Sequence, residues 1–583
     1  MTRPFAGLAL ALCLASGGAA SAQPDSGASE SVGYDLVIRG GLVYDGSGGE
    51  PYAADVAVRG DRIAAIASHI QQRGKVELDA RGKAVSPGFI NMLSHPEESL
   101  LVDGRALSDL SQGVTLEVIG EDSMGPLTPR MKALMAQRET DISFPVTWTT
   151  LGQYMEGLEK RGISPNVAAF VGEGTVRANL LGEDDIRPTP EQLEAMEALT
   201  RQAMEEGALG LTTALIYAPN TYAKTPELVD LAKVSAACGG IYIAHIRDES
   251  AGLLGAIQET IDIARASGAP AEIYHFKQSG RDNWDKLDAA VAMINAARVA
   301  GVRITADMYT YPASATGLDA AMPAWVQDGG LEKWIERLKD PAIRTRVAAE
   351  MADPHPHWDN AFHNAGADGT LFLSFKTERL KPLIGKTLAE VARARGKSPE
   401  ETAMDLVVED GTRVEVAYFG MREANLRREV ALPWMAFDSD ASAPAPEGVF
   451  LKSAVHPRAY GSFARLLGKY VRENHDLSLQ EAVRRLTSFP AETLSLTDRG
   501  RLKPGYYADI VVFDPKVIAD KATFAQPHQL AVGVDDVLVN GGLALEDGRA
   551  TGAPTGRFVR GRAWTGAPGG GCRASADDWT WAR

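Results

Sequence analysis

Cysteine is scarce in this chain, with three residues in 583, at Cys13, Cys238 and Cys572. So few cysteines, so far apart, exclude a disulfide scaffold and a cysteine cluster of the kind that holds structural zinc. Cys238 lies beside a predicted strand, and Cys572 lies in a Gly-rich tail. A disulfide between these two stays open, although no feature of the sequence supports it, and both residues are interpreted as structural or incidental.

An excess of basic residues is also missing, because 60 Lys and Arg face 76 Asp and Glu, for a formal net charge of -16. Nucleic-acid surfaces are bound by clustered Lys and Arg that neutralise phosphates. We therefore expect no nucleic-acid partner. With 45% hydrophobic residues, the chain has an ordinary globular composition and is long enough for two or three domains.

Long apolar runs are absent after the N-terminus, so no membrane span is predicted. At the N-terminus itself, Arg3 precedes a short apolar run over residues 5–14, and small residues occupy 20–22. This pattern is typical of a secretory signal peptide, here residues 1–22 with cleavage after Ala22. It predicts a periplasmic or secreted protein, and residues 23–33 are expected to be a linker.

The centre of the chain holds two β-rich apolar runs, residues 241–245 and 271–275, which end on His245 and His275. Residues 255–264 between them have a helical period. A strand–helix–strand unit of this length forces parallel strands, so both histidines are expected at the carboxyl ends of neighbouring strands. Further units of this kind predict an α/β fold with a (β/α)8 TIM-type barrel, whose catalytic groups lie at that end.

The domain boundaries follow from changes in this alternation of predicted strands and helices. We predict the barrel over residues 87–490, with an inserted subdomain at 340–420 where the alternation breaks. Short alternating strands in 34–86 and 491–565 are predicted to form one small β-sandwich from both chain ends. Glycine and alanine dominate residues 566–583, which we expect to be a loose tail.

A metal site is predicted at the mouth of this barrel. His245, His275 and Asp440 each end a barrel-type strand. A lone histidine is more often a core or surface residue, but imidazole and carboxylate groups at several strand ends suit Zn2+. Bound zinc activates water and polarises a carbonyl, which amide hydrolysis requires.

Residues 87–95, Pro-Gly-Phe-Ile-Asn-Met-Leu-Ser-His, resemble the strand-one motif of the amidohydrolase superfamily. Within it, the chain is most similar to the D-aminoacylases, or N-acyl-D-amino-acid deacylases, from about residue 34 to 514. The other segments that carry the resemblance are residues 207–213, 244–249, 275–277, 307–311, 438–440, 456–463 and 487–492. The resemblance implies a barrel flanked by a small β-domain and hydrolysis of N-acyl-D-amino acids.

Residue by residue, the resemblance implies that His245 and His275 hold one tightly bound zinc ion. Asp440 matches the general acid/base, which takes a proton from the attacking water and returns it to the leaving amine. Lys277, Tyr309 and Arg458 match positions that bind the free carboxylate of the substrate. Arginine suits this role because its planar fork donates two parallel hydrogen bonds to a carboxylate.

The chain departs from the family pattern at the metal ligands. Leu93 and His95 stand where the family has paired histidines, so we expect one functional metal rather than a complete pair. The family's cysteine ligand after strand two is missing. A carboxylate could replace it, and Glu121 is favoured because it directly ends the strand, with Asp122 as the alternative. An anionic oxygen ligand also suits Mn2+ or Co2+.

Two further functions stay open. One is another amidohydrolase reaction, by a dipeptidase on peptides with a D-residue or by an enzyme on a cyclic or aryl amide. The other is a non-catalytic binding protein whose metal site has decayed, although Asp440, His245 and His275 are all present. In the enzymatic cases the partner is a small molecule, and the sequence does not indicate the oligomeric state.

Overall fold

The computed structural model describes residues 32–138, 141–567 and 569–580. The predicted signal peptide, residues 1–22, and residues 23–31 of the predicted linker lie outside this described part. Among the described residues, no helix is both long enough and apolar enough to cross a bilayer.

Eight parallel strands close into a barrel, which confirms the predicted α/β fold class. In chain order, barrel strands one to eight are Phe89–Ser94, Val114–Ile119, Asn166–Ala169 continued by Val171–Gly172, Gly210–Ala214, Ile241–His245, Ala271–Ile273, Ile304–Ala306 and residues 434–437. The last strand closes the ring, because Met435 pairs in parallel with Ala306, and Phe437 O accepts from Met92 N at 3.3 Å.

The two faces of each barrel strand enter different cores. In strand five, Ile241 and Ile243 are buried in the barrel interior, whereas Tyr242 and Ala244 pack in the layer beneath the helices. This alternation follows from the pleat of a strand, in which successive side chains point to opposite faces. His245, two residues after Ile243, therefore projects toward the barrel axis at the mouth.

Helices cover the barrel. They are Ser99–Val102, Leu107–Leu110, Pro129–Arg138, Leu151–Arg161, Glu173–Leu181, Pro190–Glu206, Thr225–Ala237, Leu253–Ser267, Leu287–Val299, Glu423–Val430, Arg458–Arg465, Leu479–Leu486 and Ser488–Thr493, with a π-helical turn at Leu466–Glu473 and 3-10 turns at Asn220–Tyr222, Arg281–Lys286 and Gly448–Lys452. Pro190–Glu206 begins with the expected capping box, in which Thr189 Oγ1 accepts from Gln192 N at 3.2 Å. It ends at Gly207, whose φ of 119° suits a residue without a side chain.

The chain ends meet in one nine-stranded sheet. Its strands are Val32–Val43, Tyr52–Arg59, Arg62–Ala67, Arg73–Asp79, Ala84–Pro87, Ile510–Phe513, Val534–Val539, Gly542–Glu546 and Arg549–Ala550. Ala84–Pro87 pairs antiparallel with Ile510–Phe513, which joins the N-terminal and C-terminal parts. Pairing is not antiparallel throughout, because Val32–Val43 also runs parallel to Arg73–Asp79 and to Ala84–Pro87.

A subdomain with its own apolar core is inserted between barrel strands seven and eight. Its buried cluster extends from Leu318 to Tyr418, so the subdomain begins earlier than residue 340, the boundary predicted from the sequence. It contains strands Ser314–Gly317, Thr370–Phe372 and Glu415–Tyr418, helices Ala324–Gln327, Leu331–Arg337, Pro341–Met351, Ala361–Ala365, Leu388–Arg395 and Pro399–Asp410, and 3-10 turns Leu318–Ala321 and Lys381–Leu383. It contacts the barrel mouth, where Asp359 Oδ2 accepts from Glu249 N at 2.8 Å.

The C-terminal segment is attached to the barrel, so the expectation of a loose tail is wrong for its described part. Cys572 forms a disulfide with Cys238, at the end of helix Thr225–Ala237. Beside this bond, Trp579 Nε1 and Arg573 N both donate to Ala237 O, at 3.0 and 2.7 Å. The pairing could not be read from the sequence because 334 residues separate the two cysteines.

We expect the disulfide to contribute strongly to stability. It closes a loop of 334 residues, and removing a native disulfide typically costs about 2–5 kcal/mol. The single variant Cys572→Ser and the double variant Cys238→Ser/Cys572→Ser should lower the melting temperature by the same amount, since each removes the same bond. A reductant should lower the melting temperature of the wild-type protein and not of the double variant. Equal melting of wild type and double variant would contradict this expectation.

A buried acid in helix Glu423–Val430 makes stability depend on pH. Burial raises the pKa of Glu429 from 4.5 to about 8, against the opposing effects of Gln278, Lys277 and Arg428. Because the folded state binds this proton more tightly than the unfolded chain, the wild-type protein should lose stability as pH rises from about 4.5 to about 8.

Glu429→Gln, which mimics the protonated acid, should therefore be a few kcal/mol more stable than wild type at pH 8.5 and about equally stable at pH 5. Melting temperatures at the two pH values measure the difference. Glu194→Gln, at an exposed position of helix Pro190–Glu206, is the matched control and should change neither value. An equal gain at both pH values would show that titration of Glu429 is not the cause.

Candidate metal centre at the barrel mouth

His245 and His275, predicted as ligands, meet at the carboxyl ends of barrel strands five and six. Their ring centroids lie 4.5 Å apart. Glu121, just after barrel strand two, lies between them, with its Oε1 2.7 Å from His245 Nδ1 and 3.0 Å from His275 Nε2. Two imidazole nitrogens and a carboxylate oxygen converging in this way form the donor set that Zn2+ prefers.

A second group shares Glu121. His95 Nε2 lies 3.2 Å from Asp440 Oδ1 and 3.7 Å from Glu121 Oε2, so the two oxygens of Glu121 face the two groups. Within each group, the donor atoms lie within 4.8 Å of one another. Neither of these two groups, found among the described residues, includes Asp122.

Asp122, the alternative to Glu121 in the sequence, is directed elsewhere. Its carboxylate lies beside Gly174 and forms a hydrogen bond with Asn220, although it still lines the cavity at the mouth. Burial raises the pKa of Asp122. The geometry therefore places Glu121, and not Asp122, between the histidines.

Three residues of these groups have positive backbone φ angles, namely Glu121 at 64°, His275 at 35° and Asp440 at 44°. Non-glycine residues adopt this region at an energetic cost, and such residues cluster at functional sites. Each is held by a hydrogen bond from its own backbone N–H. Glu121 N donates to Thr212 Oγ1 at 3.0 Å, His275 N to Asp307 Oδ1 at 2.5 Å, and Asp440 N to Leu93 O at 3.0 Å. The fold therefore accepts local strain in order to direct these side chains to one point.

Glu249 lies behind the histidines and was not singled out in the sequence. Its Oε1 is 3.0 Å from His275 Nδ1, and its Oε2 is 3.8 Å from His245 Nε2. A carboxylate behind a histidine fixes the ring and raises its basicity as a ligand. The available signal was its position four residues after His245, within a segment that carries the family resemblance.

Lys277 lies beside Glu249, also behind His275. Its Nζ lies 2.7 Å from Glu249 Oε1 and 2.7 Å from His275 Nδ1, so its ammonium group is already held by protein atoms. Tyr309 and Arg458 also reach the centre. The Arg458 guanidinium lies 4.5 Å from the centroid of the Tyr309 ring, and its Nη1 is 2.6 Å from Asp440 Oδ2.

The electrostatics of the cluster fit a cation. Burial alone would raise the pKa of Glu121, but hydrogen bonds with His245 and His275 outweigh burial and lower it well below its ordinary value. Burial and Lys277 lower the pKa of His275, but neighbouring carboxylates led by Glu249 raise it to about 10. Buried carboxylates therefore make this point strongly favourable for positive charge, which a divalent cation supplies with the histidines neutral.

A cavity of about 1170 Å³ opens over the centre. Its lining includes all nine predicted site residues, namely His95, Glu121, Asp122, His245, His275, Lys277, Tyr309, Arg458 and the acid/base candidate Asp440. Leu93, which stands in place of a family histidine, is instead buried in the barrel interior. The structure thus brings the sequence-predicted residues to one accessible mouth.

Comparisons with known proteins agree with this architecture. A model of the amidohydrolase family matches residues 76–544. The chain is 32% identical to the N-acyl-D-glutamate deacylase of Alcaligenes xylosoxydans xylosoxydans, over 87% of this chain and 93% of that protein.

Two solved structures are also similar to this chain. One is a D-aminoacylase with a binuclear metal centre, in which one metal activates the enzyme and a second attenuates it. It superposes with a TM-score of 0.75, at 31% identity, over 90% of this chain and 99% of its own. The other is the N-acyl-D-glutamate deacylase of Bordetella bronchiseptica, in complex with zinc and a phosphonate mimic of the tetrahedral intermediate. It superposes with a TM-score of 0.73, at 30% identity, over 90% of this chain and 99% of its own. On this evidence the chain belongs to the amidohydrolase family and, within it, to the D-aminoacylases.

Proposed function

We propose that this protein hydrolyses the amide bond of N-acyl-D-amino acids, with Asp440 as the general acid/base beside a zinc centre. The observation that carries the proposal is the position of Asp440. Its Oδ1 faces His95 at 3.2 Å and its Oδ2 faces Arg458 at 2.6 Å, on the rim of the group formed by Glu121, His245 and His275. The D-amino-acid substrates named for the relatives support the same stereochemistry here.

Glu121, His245 and His275 would hold the zinc ion, which when bound supplies the Lewis acid that polarises the amide carbonyl and acidifies water. Burial raises the pKa of Asp440, but Arg458 and His275 outweigh burial and lower it below its ordinary value. Asp440 is therefore ionised at neutral pH and can accept the proton of the attacking water. It then returns this proton to the nitrogen of the leaving amine.

Arg458 and Tyr309 are proposed to bind the carboxylate of the substrate. The guanidinium group lies over the Tyr309 ring, which restricts its orientation, and both groups reach the cavity. Lys277 contributes positive charge nearby and donates to Glu249, the carboxylate that lies behind His275 and orients its ring.

One tightly bound ion is proposed, in the group with Glu121, His245 and His275. The group with His95, Glu121 and Asp440 offers only one imidazole, because Leu93 replaces the other histidine of the family motif. Any ion there would compete with Arg458 for Asp440 and would therefore interfere with proton transfer. A binuclear centre attenuated by its second metal is known for a D-aminoacylase and agrees with this view.

A periplasmic or secreted location is proposed from two features. The N-terminus has the pattern of a signal peptide, and Cys238 and Cys572 form a disulfide, a bond that persists in oxidising compartments. Cell fractionation, with detection of a protein that begins at Gln23, tests the location. Recovery of the uncleaved chain in the cytoplasm would refute it.

The activity is tested with purified protein on matched N-acetyl-D- and N-acetyl-L-amino acids, with and without a chelator. We expect hydrolysis of the D series, at least tenfold slower hydrolysis of the L series, and loss of activity on metal removal. Substrates with the carboxylate capped as a primary amide should be poor, since Arg458 loses its partner. Hydrolysis of D-residue dipeptides or of cyclic amides, with none of N-acyl amino acids, would instead establish the alternative amidohydrolase reactions.

A further inference from the structure

The cavity over the metal centre is larger than an N-acetyl amino acid requires, and part of its lining is apolar. Its volume of about 1170 Å³ exceeds the roughly 300–1,000 Å³ usual for a small-molecule site. The loops and helices after barrel strands two and three contribute apolar lining side chains, which together we call the apolar arm: Leu127, Met131, Leu134, Met135, Leu180 and Leu181.

Helix Pro129–Arg138 forms the largest part of the apolar arm. Met131, Leu134 and Met135 have the i, i+3, i+4 spacing of one helix face and line the cavity, whereas Ala133 and Ala136 are exposed. Met131 and Met135 are only partly buried by the protein. Apolar surface therefore remains for an occupant, and methionine adapts its shape to flexible chains.

The arm lies across the barrel from Tyr309, one of the two residues of the proposed carboxylate site. Tyr309 follows barrel strand seven and Arg458 follows strand eight, whereas the arm follows strands two and three. In a ring of eight strands, strands two and three lie opposite strands six and seven. A substrate whose carboxylate lies at Tyr309 and Arg458 and whose amide lies at the metal centre can therefore extend its acyl group toward the arm.

We infer that the substrates are N-acyl-D-amino acids with a medium or long aliphatic acyl chain, which occupies the apolar arm. This inference rests on the proposed function, because that function sets the direction of the substrate. Transfer of each methylene from water to an apolar site is worth about 0.8 kcal/mol, or about fourfold in binding. A chain of several methylenes would therefore dominate the choice of substrate.

The test is a series of acyl groups on one D-amino acid, from acetyl through butanoyl and octanoyl to dodecanoyl, at concentrations below micelle formation. We expect kcat/KM to rise at least tenfold from acetyl to octanoyl. Met135→Glu should lower the octanoyl-to-acetyl ratio of kcat/KM at least tenfold, because it places a charge in the arm. Ala133→Glu, on the exposed face of the same helix, is the matched control and should leave the ratio unchanged.

The outcomes separate the two proposals. Hydrolysis of N-acetyl-D-amino acids at rates that stay flat or fall with chain length would overturn the acyl-chain inference and leave the proposed function standing. If no member of the series is hydrolysed, the proposed function fails. Calorimetric titration of the wild-type protein with the octanoyl and acetyl compounds then tests independently whether the apolar arm binds the acyl chain. Equal affinity would refute it, whereas tighter octanoyl binding that Met135→Glu abolishes would support it.

Discussion

Replacing Asp440 by asparagine should reduce kcat by about 10²–10⁴, the range that a positioned general acid/base contributes. Asparagine keeps the size of the side chain and can still bond to Arg458, but it cannot accept and return a proton. KM should change much less than kcat, because the proposed carboxylate contacts stay in place. Steady-state kinetics on the best N-acyl-D-amino acid measure the effect.

Metal content provides the control for Asp440→Asn. The tight group consists of Glu121, His245 and His275, so the variant should keep one equivalent of zinc. Unchanged turnover would remove Asp440 from the mechanism. Loss of both zinc and activity would instead identify Asp440 as a ligand of the tightly bound ion.

Replacing Glu121 by alanine should abolish tight metal binding and reduce kcat/KM at least 10³-fold. Glu121 faces both histidines and is the residue common to the two candidate groups, so its removal disrupts both. Aspartate at this position keeps the charge but shortens the reach, and should bind zinc more weakly than wild type. Metal analysis after dialysis, followed by a zinc titration of activity, measures both effects.

Asp122→Ala is the matched control, one residue further along the chain. The Asp122 carboxylate is directed toward Gly174 and Asn220, so this variant should keep its zinc. The opposite result, with zinc lost from Asp122→Ala and kept by Glu121→Ala, would show that the ligand had been assigned to the wrong acid.

The sequence located most of the site because its signals are local. His245 and His275 end apolar β-runs that are joined by a helix, and a βαβ unit has only one common handedness, so their meeting point could be predicted. Asp440 and Arg458 were placed by similarity of short segments. The sequence could favour Glu121 over Asp122 only weakly, because the choice depends on a backbone φ of 64° at Glu121.

Other features had no local signal. The contacts of Glu249 with both histidines depend on how the loop after strand five returns over the mouth. The Cys238–Cys572 bond joins residues 334 positions apart, and the composition of the tail predicts a linker although the disulfide attaches the tail to the barrel. The subdomain begins before the sequence rhythm changes, since its first strand, Ser314–Gly317, pairs with Glu415–Tyr418 about a hundred residues later.

By itself, the sequence determined the barrel, the two histidines and the family, because periodicity and short motifs are properties of neighbouring residues. Only the tertiary structure decided which carboxylate faces the histidines, which cysteines pair and which loops form the apolar arm. Those features depend on side-chain directions and on contacts between distant segments, and packing of the whole chain sets both.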